Sequence, residues 1–136
     1  MDCIFCKIVT GEIPCYRIYE DESVLAFLDI NPVSSGHTLV IPKKHYENIY
    51  DISEGDLANV TMVTKNLAKK YKQLFEADGI TIHQANEKAG GQIIFHYHMH
   101  IVPRYFDDGL KLWFHRDANK KIDLETVWDK IKRGFK

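Results

Sequence analysis

The stretch IIFHYHMHIVPR, residues 93–104, decides the fold. A strand sends successive side chains to opposite faces, so His96, His98 and His100 are predicted to share one face. The other face is expected to pack on a core and carries Phe95, Tyr97, Met99 and Ile101. Imidazoles act near pH 7 as bases, nucleophiles or metal ligands. A solvated strand face is the plain alternative, but the strict internal spacing favours a functional site.

The composition is that of an ordinary globular chain, with 136 residues and a net charge of −1. This length fits one domain, residues 1–136, around one core. The charge gives no reason to expect nucleic acid or an anionic membrane as a partner. No apolar run is long enough to span a bilayer, and the first residues are too polar for a signal peptide. A cytoplasmic location is expected, where cysteines are thiols or metal ligands.

Short strand-forming runs separated by turn formers make up much of the chain. Residues 16–20 and 24–29 predict a β-hairpin with a turn at 21–23. Residues 38–42 and 80–84 predict two further strands. Hairpin connections, rather than repeated βαβ units, indicate an α+β fold with a mostly antiparallel sheet of about five strands.

One long helix is predicted to pack on the sheet. It begins after the N-cap Ser53 and ends at about Glu76, because apolar residues recur every three or four positions. These apolar residues are Leu57, Val60, Val63, Leu67, Tyr71, Leu74 and Phe75. A short C-terminal helix is also predicted, with Gly134 after its last turn. Its apolar face carries Leu124, Val127, Trp128 and Ile131.

Two local motifs bear on chemistry. Cys3 and Cys6 form a Cys-x-x-Cys pair, which fits half of a tetrahedral zinc site or a redox pair. A redox pair needs a preceding strand, and nothing here supplies one. Cys15 has no partner at motif spacing and is interpreted as structural. Gly90 and Gly91 precede the histidines, where paired glycines let a backbone approach a ligand and present N–H groups to an anion.

The histidine stretch resembles the His-x-His-x-His-x-x motif, x apolar, of the histidine triad (HIT) family. Three further parts of the chain agree with the family in type and order: residues 4–8 with 11–14, residues 25–32 and residues 36–45. The resemblance covers residues 3–106, leaves a C-terminal extension from about residue 107, and is strongest to bacterial-type members with a Cys-x-x-Cys zinc site. It implies a HIT-like fold, nucleotide-binding hydrolases or transferases that act at an α-phosphate, and homodimers that join two sheets.

The resemblance also implies roles for individual residues. His98 is the expected nucleophile, which forms a covalent nucleotidyl-histidine that water then hydrolyses to a nucleoside monophosphate. His100 is expected to bind the phosphate or pass a proton to the leaving group. Backbone N–H groups near His98, with Gly91 and Gln92, are expected to stabilise the phosphate charge. This scheme needs no catalytic metal.

The nucleoside contacts are likewise implied by the resemblance. Asp29 is expected to hold the ribose hydroxyls, and Asn86 to lie on the phosphate or leaving-group side. A slot for a base, expected to be a purine, is formed by Ile4, Phe5, Ile8, Leu28 and Ile30. For each of these apolar residues, ordinary core packing is an equal alternative. Ile93 stands where phosphoramidase relatives often have serine, so a hydroxyl donor is lost there.

A structural zinc site is implied by the same family likeness. Its ligands are Cys3, Cys6, His45 and His96. Two thiolates and two imidazoles complete a closed tetrahedron, which is structural rather than catalytic. The site is expected to tie the N-terminus to the histidine stretch.

Two other functions stay open. Alternating histidines could instead coordinate a catalytic zinc ion in a hydrolase. The chain could also be a nucleotide-binding regulatory or adaptor protein with little turnover. The leaving group, whether an amine, a polyphosphate or an acyl group, is not defined by the sequence. The segment with Trp113, His115 and Trp128 could shape the leaving-group side or extend the dimer interface.

Overall fold

The computed structural model describes residues 2–111 and 119–135. Its elements, in chain order, are α1 Ile4–Val9, β1 Arg17–Glu20, β2 Val24–Leu28, β3 Thr38–Pro42, α2 Glu54–Leu74, β4 Gly79–His83, β5 Met99–Arg104 and α3 Leu124–Gly134, with a 3₁₀ turn at Lys88–Gly90. The five strands form one antiparallel sheet in the order β1-β2-β3-β5-β4. The predicted α+β fold, with one long helix and a short C-terminal helix, is confirmed.

Both faces of the central strands are covered. Alternate residues of β2 and β3, such as Val24 and Val40, pack with the long helix α2 in one apolar cluster. Their neighbours, such as Phe27 and Leu39, pack on the opposite face with Phe5 of α1. All five residues of β3 are buried as a result. The short helix α1 was not predicted, because six residues are too few for a helical period to show.

Helix α2 begins as predicted and ends slightly earlier. The Ser53 side chain accepts a hydrogen bond from the Asp56 N–H at 3.1 Å, which caps the first turn. The helix ends at Leu74, whose side chain is 72% exposed, so its predicted place on the packed face is wrong. Thr64 is buried instead and satisfies its hydroxyl on the Val60 carbonyl at 2.8 Å. A polar residue at a core position is invisible to an apolar pattern.

The histidine stretch is only half strand. Regular pairing begins at Met99, so the prediction that His96 and His98 lie on the strand is wrong. The Tyr97 N–H donates to the Tyr46 carbonyl at 2.7 Å, outside the sheet ladder. A side-chain hydrogen bond from His98 to the His96 carbonyl also takes a backbone acceptor that a strand would use.

The predicted core face of this stretch is mostly confirmed. Tyr97 and Ile101 are buried in the cluster under α2, and Met99 packs against it. Phe95 is 45% exposed and does not belong to the core, because it precedes the regular strand.

The C-terminal helix α3 is capped by Asp123, whose carboxylate accepts from the Thr126 N–H. Gly134 is its last residue rather than the residue after its last turn. Trp113 and His115 lie outside the described residues. Within the described ranges, no helix combines the length and apolar character needed to cross a membrane.

Candidate functional site

A cavity of about 550 Å³ opens on the sheet face that carries α1. Apolar residues of α1, β2 and the following loop form one end, and imidazoles form the other. The lining includes Phe5, Leu28, Asp29, His37, His83, Gly91, His98 and His100. The arrangement combines an apolar slot with convergent polar groups, which is typical of a small-molecule site.

His98 presents a free lone pair to this cavity. Its Nδ1 lies 2.7 Å from the His96 carbonyl oxygen, and a carbonyl only accepts, so Nδ1 carries the proton. A neutral His98 is then unprotonated at Nε2. Burial lowers the pKa of His98, although the carbonyl contact and the Asp29 charge oppose this shift. The ring also contacts Phe5 edge-on, with centroids 5.3 Å apart.

His100 presents a donor instead. The Val33 N–H donates to Nδ1 of His37 at 3.2 Å, so the proton of a neutral His37 is on Nε2. That Nε2 lies 2.9 Å from Nδ1 of His100 and donates to it. The remaining proton of His100 is therefore on Nε2. Burial and the neighbouring imidazoles His83, His98 and His37 lower the pKa of His100 to about 3.

His83 completes a group of four imidazoles. It pairs with His100 across β4 and β5, and the two rings stack with centroids 4.2 Å apart and planes 23° apart. Burial, followed by the charges of His37 and His98, lowers the pKa of His83 to about 4. The group is neutral around pH 7, so each ring carries one N–H and one unprotonated nitrogen.

The apolar end of the cavity contains the residues expected to hold a nucleoside. Asp29 follows β2, and its Oδ1 accepts from the Asn31 N–H at 2.9 Å. Its Oδ2 lies 3.5 Å from Nε2 of His37, which places the carboxylate between the slot and the imidazoles. The expected slot residues Ile4, Phe5, Ile8, Leu28 and Ile30 all line the cavity.

In the glycine loop, one residue lines the cavity, and two amide side chains hold the loop by hydrogen bonds. Gly91 lines the cavity with a φ of 98°, a conformation that glycine adopts readily. Gln92 is buried, accepts from the Glu87 N–H and donates to the Glu47 and Ile94 carbonyls. Asn86 does not line the cavity, because its amide bonds to Gln84 and to the Ile49 N–H. Both amide side chains hold the loop rather than face the cavity.

A second cluster lies beside the cavity and brings together Cys3, Cys6, His45 and His96. The His96 Nδ1 lies 3.4 Å from Cys3 Sγ, 3.6 Å from Cys6 Sγ and 3.3 Å from His45 Nδ1. The His45 Nδ1 lies 3.4 Å from Cys6 Sγ. In a tetrahedral zinc site with ordinary bond lengths, ligand atoms are roughly 3.3–3.8 Å apart.

The hydrogen bonding of this cluster also fits a metal ion. The His96 Nε2 lies 2.8 Å from the Pro42 carbonyl, so it donates and leaves Nδ1 unprotonated toward the sulfurs. Helix α1 begins at this point, and the Cys3 side chain accepts from the Cys6 N–H. This turn brings both sulfurs to one side. The residues could therefore hold a metal ion of zinc type.

The HIT domain family matches residues 10–107 of the chain. The chain belongs to the HIT family. An uncharacterized HIT-like protein of Methanocaldococcus jannaschii is 47% identical over 130 residues, which are 96% of this chain and 98% of the relative. Protein hit of Bacillus subtilis is 44% identical over 133 residues, 96% of this chain and 92% of its own. The adenylylsulfatase HINT3 of Arabidopsis thaliana is 40% identical over 128 residues, 92% of this chain and 64% of its own.

Solved HIT structures agree with this fold. A protein of Streptococcus mutans UA159 superposes with a TM-score of 0.89 at 39% identity, over 99% of this chain and 86% of its own. A zinc-bound histidine triad protein of Mycobacterium smegmatis superposes with a TM-score of 0.78 at 42% identity, over 88% of this chain and 85% of its own. A histidine triad nucleotide-binding protein of Candida albicans superposes with a TM-score of 0.84 at 32% identity, over 98% of this chain and 97% of its own.

Two HIT-domain histidines of the cavity had no role in the sequence analysis. His37 stands in a loop and His83 ends a strand, and each lies 13 or more residues from the triad in sequence. The sheet order brings both against His100. Being histidines was the one feature in the sequence that could have marked them as site residues. Their position beside His100 follows only from the strand pairing.

Proposed function

We propose that this HIT protein is a nucleotide hydrolase or transferase that cleaves a nucleotide conjugate at its α-phosphate. The reaction passes through a covalent nucleotidyl-histidine on His98 and releases a nucleoside monophosphate. The observation that supports this most directly is the complementary pair of histidines in the cavity. His98 offers an Nε2 lone pair, and His100 offers an Nε2–H.

In the first step, the lone pair of His98 Nε2 attacks the α-phosphorus. A bond forms between Nε2 and phosphorus, and the bond from phosphorus to the leaving group breaks with its electron pair on the leaving group. His100 donates a hydrogen bond, or a proton, to the atom that gains this charge. The Gly91 backbone borders the same region and leaves room for phosphate oxygens.

In the second step, water attacks phosphorus and the bond to Nε2 breaks. His98 recovers its lone pair. Where the first step transferred a proton, the proton that water loses returns His100 to its Nε2–H form, and where His100 gave only a hydrogen bond, that proton passes to solvent. Another nucleophile in place of water would make the same protein a transferase. The Nδ1–H bond to the His96 carbonyl holds the His98 ring in orientation through both steps.

The nucleoside is placed at the apolar end of the cavity. Asp29 offers carboxylate oxygens for the ribose hydroxyls, and the slot beside Phe5 and Leu28 takes a base, in this proposal a purine. The nucleotide-binding relative in Candida albicans and the adenylylsulfatase relative in Arabidopsis thaliana support this class of substrate.

Zinc is proposed at the Cys3, Cys6, His45 and His96 cluster, in a structural role. A closed set of four protein ligands leaves no position for substrate. The zinc-bound relative in Mycobacterium smegmatis supports the choice of metal. No catalytic metal is part of the reaction, since imidazole groups supply both the nucleophile and the donor.

The proposed assembly is a homodimer of single-domain chains, residues 1–136, in the cytoplasm, with no nucleic acid or membrane partner. Strand β4 is an edge of the sheet and exposes Ile82, which supports pairing of two sheets along this edge. The extension from about residue 107 is proposed either to extend the dimer interface or to shape the leaving-group side of the site.

A metal-dependent hydrolase is the second candidate function. The triad itself does not converge on one point, because His96 belongs to the cysteine cluster. A different set supports this alternative, since ligand atoms of Asp29, His37 and His100 lie within 4.8 Å of one another. Two imidazoles and a carboxylate are a common metal-binding set.

A turnover screen separates these functions. Adenosine phosphoramidate, diadenosine polyphosphates, adenosine phosphosulfate and adenylated lysine are supplied to the wild type and to His98→Ala. The proposal expects release of adenosine monophosphate from at least one conjugate, with loss of release in His98→Ala. Activity should persist with a chelator while the fold is intact by circular dichroism. Complete loss with an intact fold favours the metal-dependent hydrolase, and binding without turnover favours an adaptor.

A further inference from the structure

We infer that His83 selects the leaving group, and that it favours conjugates whose leaving group is an oxyanion over those whose leaving group is an amine. This inference rests on the proposed function and names its substrate class. His83 is the last residue of β4, directly across from His100 on β5. Its ring lies flat against His100 at 4.2 Å between centroids and borders the same cavity.

The order of groups across the sheet places His83 at the far end of the substrate. Asp29 follows β2, His37 precedes β3, His100 lies on β5, and His83 lies on the edge strand β4. A ribose at Asp29 and a phosphorus atom at His98 leave the β4 border for the group beyond the α-phosphate. His83 is therefore on the leaving-group side of His100.

An anion at that border must be held by hydrogen bonds rather than by charge. Among the described residues that line the cavity, Asp29 is the sole carboxylate, and no lysine or arginine is present. The donors that can face a second anionic group at this border therefore include the imidazole N–H groups. Burial lowers the pKa of both His83 and His100, so both rings are neutral around pH 7 and each carries one N–H.

The two classes of leaving group make different demands. An amine must gain a proton as its bond to phosphorus breaks, and the Nε2–H of His100 is sufficient for this transfer. A phosphate or sulfate leaves with the electron pair on its bridging oxygen and needs no proton. It needs hydrogen-bond donors that face its added charge. His83 adds an imidazole donor beyond His98 and His100, which suits the second class.

The test compares His83→Leu and His83→Gln with the wild type. Leucine removes the ring and its donor, whereas glutamine keeps an N–H donor. Values of kcat/KM are measured for diadenosine polyphosphate, adenosine phosphosulfate and adenosine phosphoramidate. His83→Leu should lose about tenfold or more on both oxyanion conjugates, the range for one hydrogen bond to a charged group, and under about threefold on the phosphoramidate. His83→Gln should recover part of the loss.

The ratio between conjugates decides the outcome. A loss confined to the phosphate or to the sulfate conjugate supports the inference for that oxyanion alone. Equal losses on all three conjugates would overturn it, because His83 would then only position His100. Unchanged values on all three would overturn it as well.

A binding measurement keeps this inference separate from the proposed reaction. Calorimetry on His98→Ala and on the His98→Ala, His83→Leu double variant compares adenosine diphosphate with adenosine monophosphate. The second phosphate of the diphosphate stands in for the leaving group. The His83→Leu substitution should weaken binding of adenosine diphosphate by about tenfold and leave binding of adenosine monophosphate nearly unchanged. This result would support His83 even if the wild type turned over no conjugate. Equal weakening of both ligands would contradict it.

Discussion

The Nε2 of His37 lies 2.9 Å from the Nδ1 of His100, and this contact sets which nitrogen of His100 faces the substrate. His37 is itself fixed, since the Val33 N–H occupies its Nδ1. A loop residue and a strand residue 63 positions apart thus form one chain of hydrogen bonds. The donor that the proposed reaction uses depends on this chain of hydrogen bonds.

Replacement of His37 should therefore impair chemistry more than substrate binding. His37→Leu removes the donor to His100, and kcat should fall roughly 10- to 100-fold. This is the effect expected when a buried hydrogen-bond acceptor loses its donor. KM should change less. His37→Gln keeps an N–H group and should retain more of the rate. If both variants fold and keep the wild-type kcat, His37 does not orient His100.

Loss of a cluster ligand should remove zinc. His45→Ala and His96→Ala are each expected to reduce bound zinc and the melting temperature more than they change kcat in the folded fraction, because the site acts through position. Atomic emission on the purified proteins measures the metal. Cys15→Ala is the matched control, since Cys15 lies outside the cluster and should keep zinc. Stoichiometric zinc in His96→Ala would refute the assigned ligands.

Gly36 is expected to be intolerant of a side chain. Its φ is 91°, and a Cβ there would lie 2.6 Å from Phe75 Cε2 and 2.9 Å from Cζ. Gly36→Ala should lower the free energy of unfolding by about 1–3 kcal/mol, through backbone strain and displacement of the Phe75 ring. Gly55→Ala is the control: it lies in α2 with nothing near its Cβ, and it should be neutral or stabilising by up to about 1 kcal/mol. Equal midpoints in denaturant for both variants would contradict this account.

The His83 imidazole should make stability depend on pH. Its pKa is about 4 when folded and 6.5 as an ordinary histidine, so its contribution is complete above pH 6.5 and is lost as the pH falls toward 4. In this window, His83→Leu should reduce the slope of the unfolding free energy against pH by the equivalent of up to about one bound proton. The other titratable groups near His83 are His37, His98 and His100, with Asp29 elsewhere in the same cavity, and all four are present in both the wild type and the variant. Denaturant unfolding from pH 4 to 7.5 gives the two slopes, and identical slopes would refute the shifted pKa.

Much of the fold followed from local pattern. Apolar spacing and the Ser53 cap predicted α2, and turn formers around Asp21 predicted the β1-β2 hairpin. The Asp21 carboxylate accepts from the Ser23 and Val24 N–H groups, both at 2.8 Å, which explains why that turn was visible in the sequence.

The errors arose where long-range contacts override local pattern. The alternation of residues 93–104 predicted a continuous strand, but Tyr97 bonds to Tyr46 and His96 is drawn to the cysteines. The three histidines thus divide between two clusters, which alternation alone could not predict. Family likeness separated His96 from His98, and the cluster distances agree with that division.

The side-chain amides of the loop show the same limit. Gln92 and Asn86 were expected on the phosphate side, yet their hydrogen bonds run to Glu47, Ile94, Gln84 and Ile49. An amide can bind a ligand or a backbone equally well, and only the distances distinguish the two.

The most direct test of the central claim is to trap the intermediate on His98. Wild-type protein is mixed with a nucleotide conjugate, quenched in alkali, where phosphorus–nitrogen bonds survive, and digested for peptide mass spectrometry. The account predicts a nucleoside monophosphate adduct on the peptide that contains His98, at this residue, and no adduct in His98→Ala. Turnover by the wild type with no adduct at the shortest times, or an adduct that persists in His98→Ala, would contradict it.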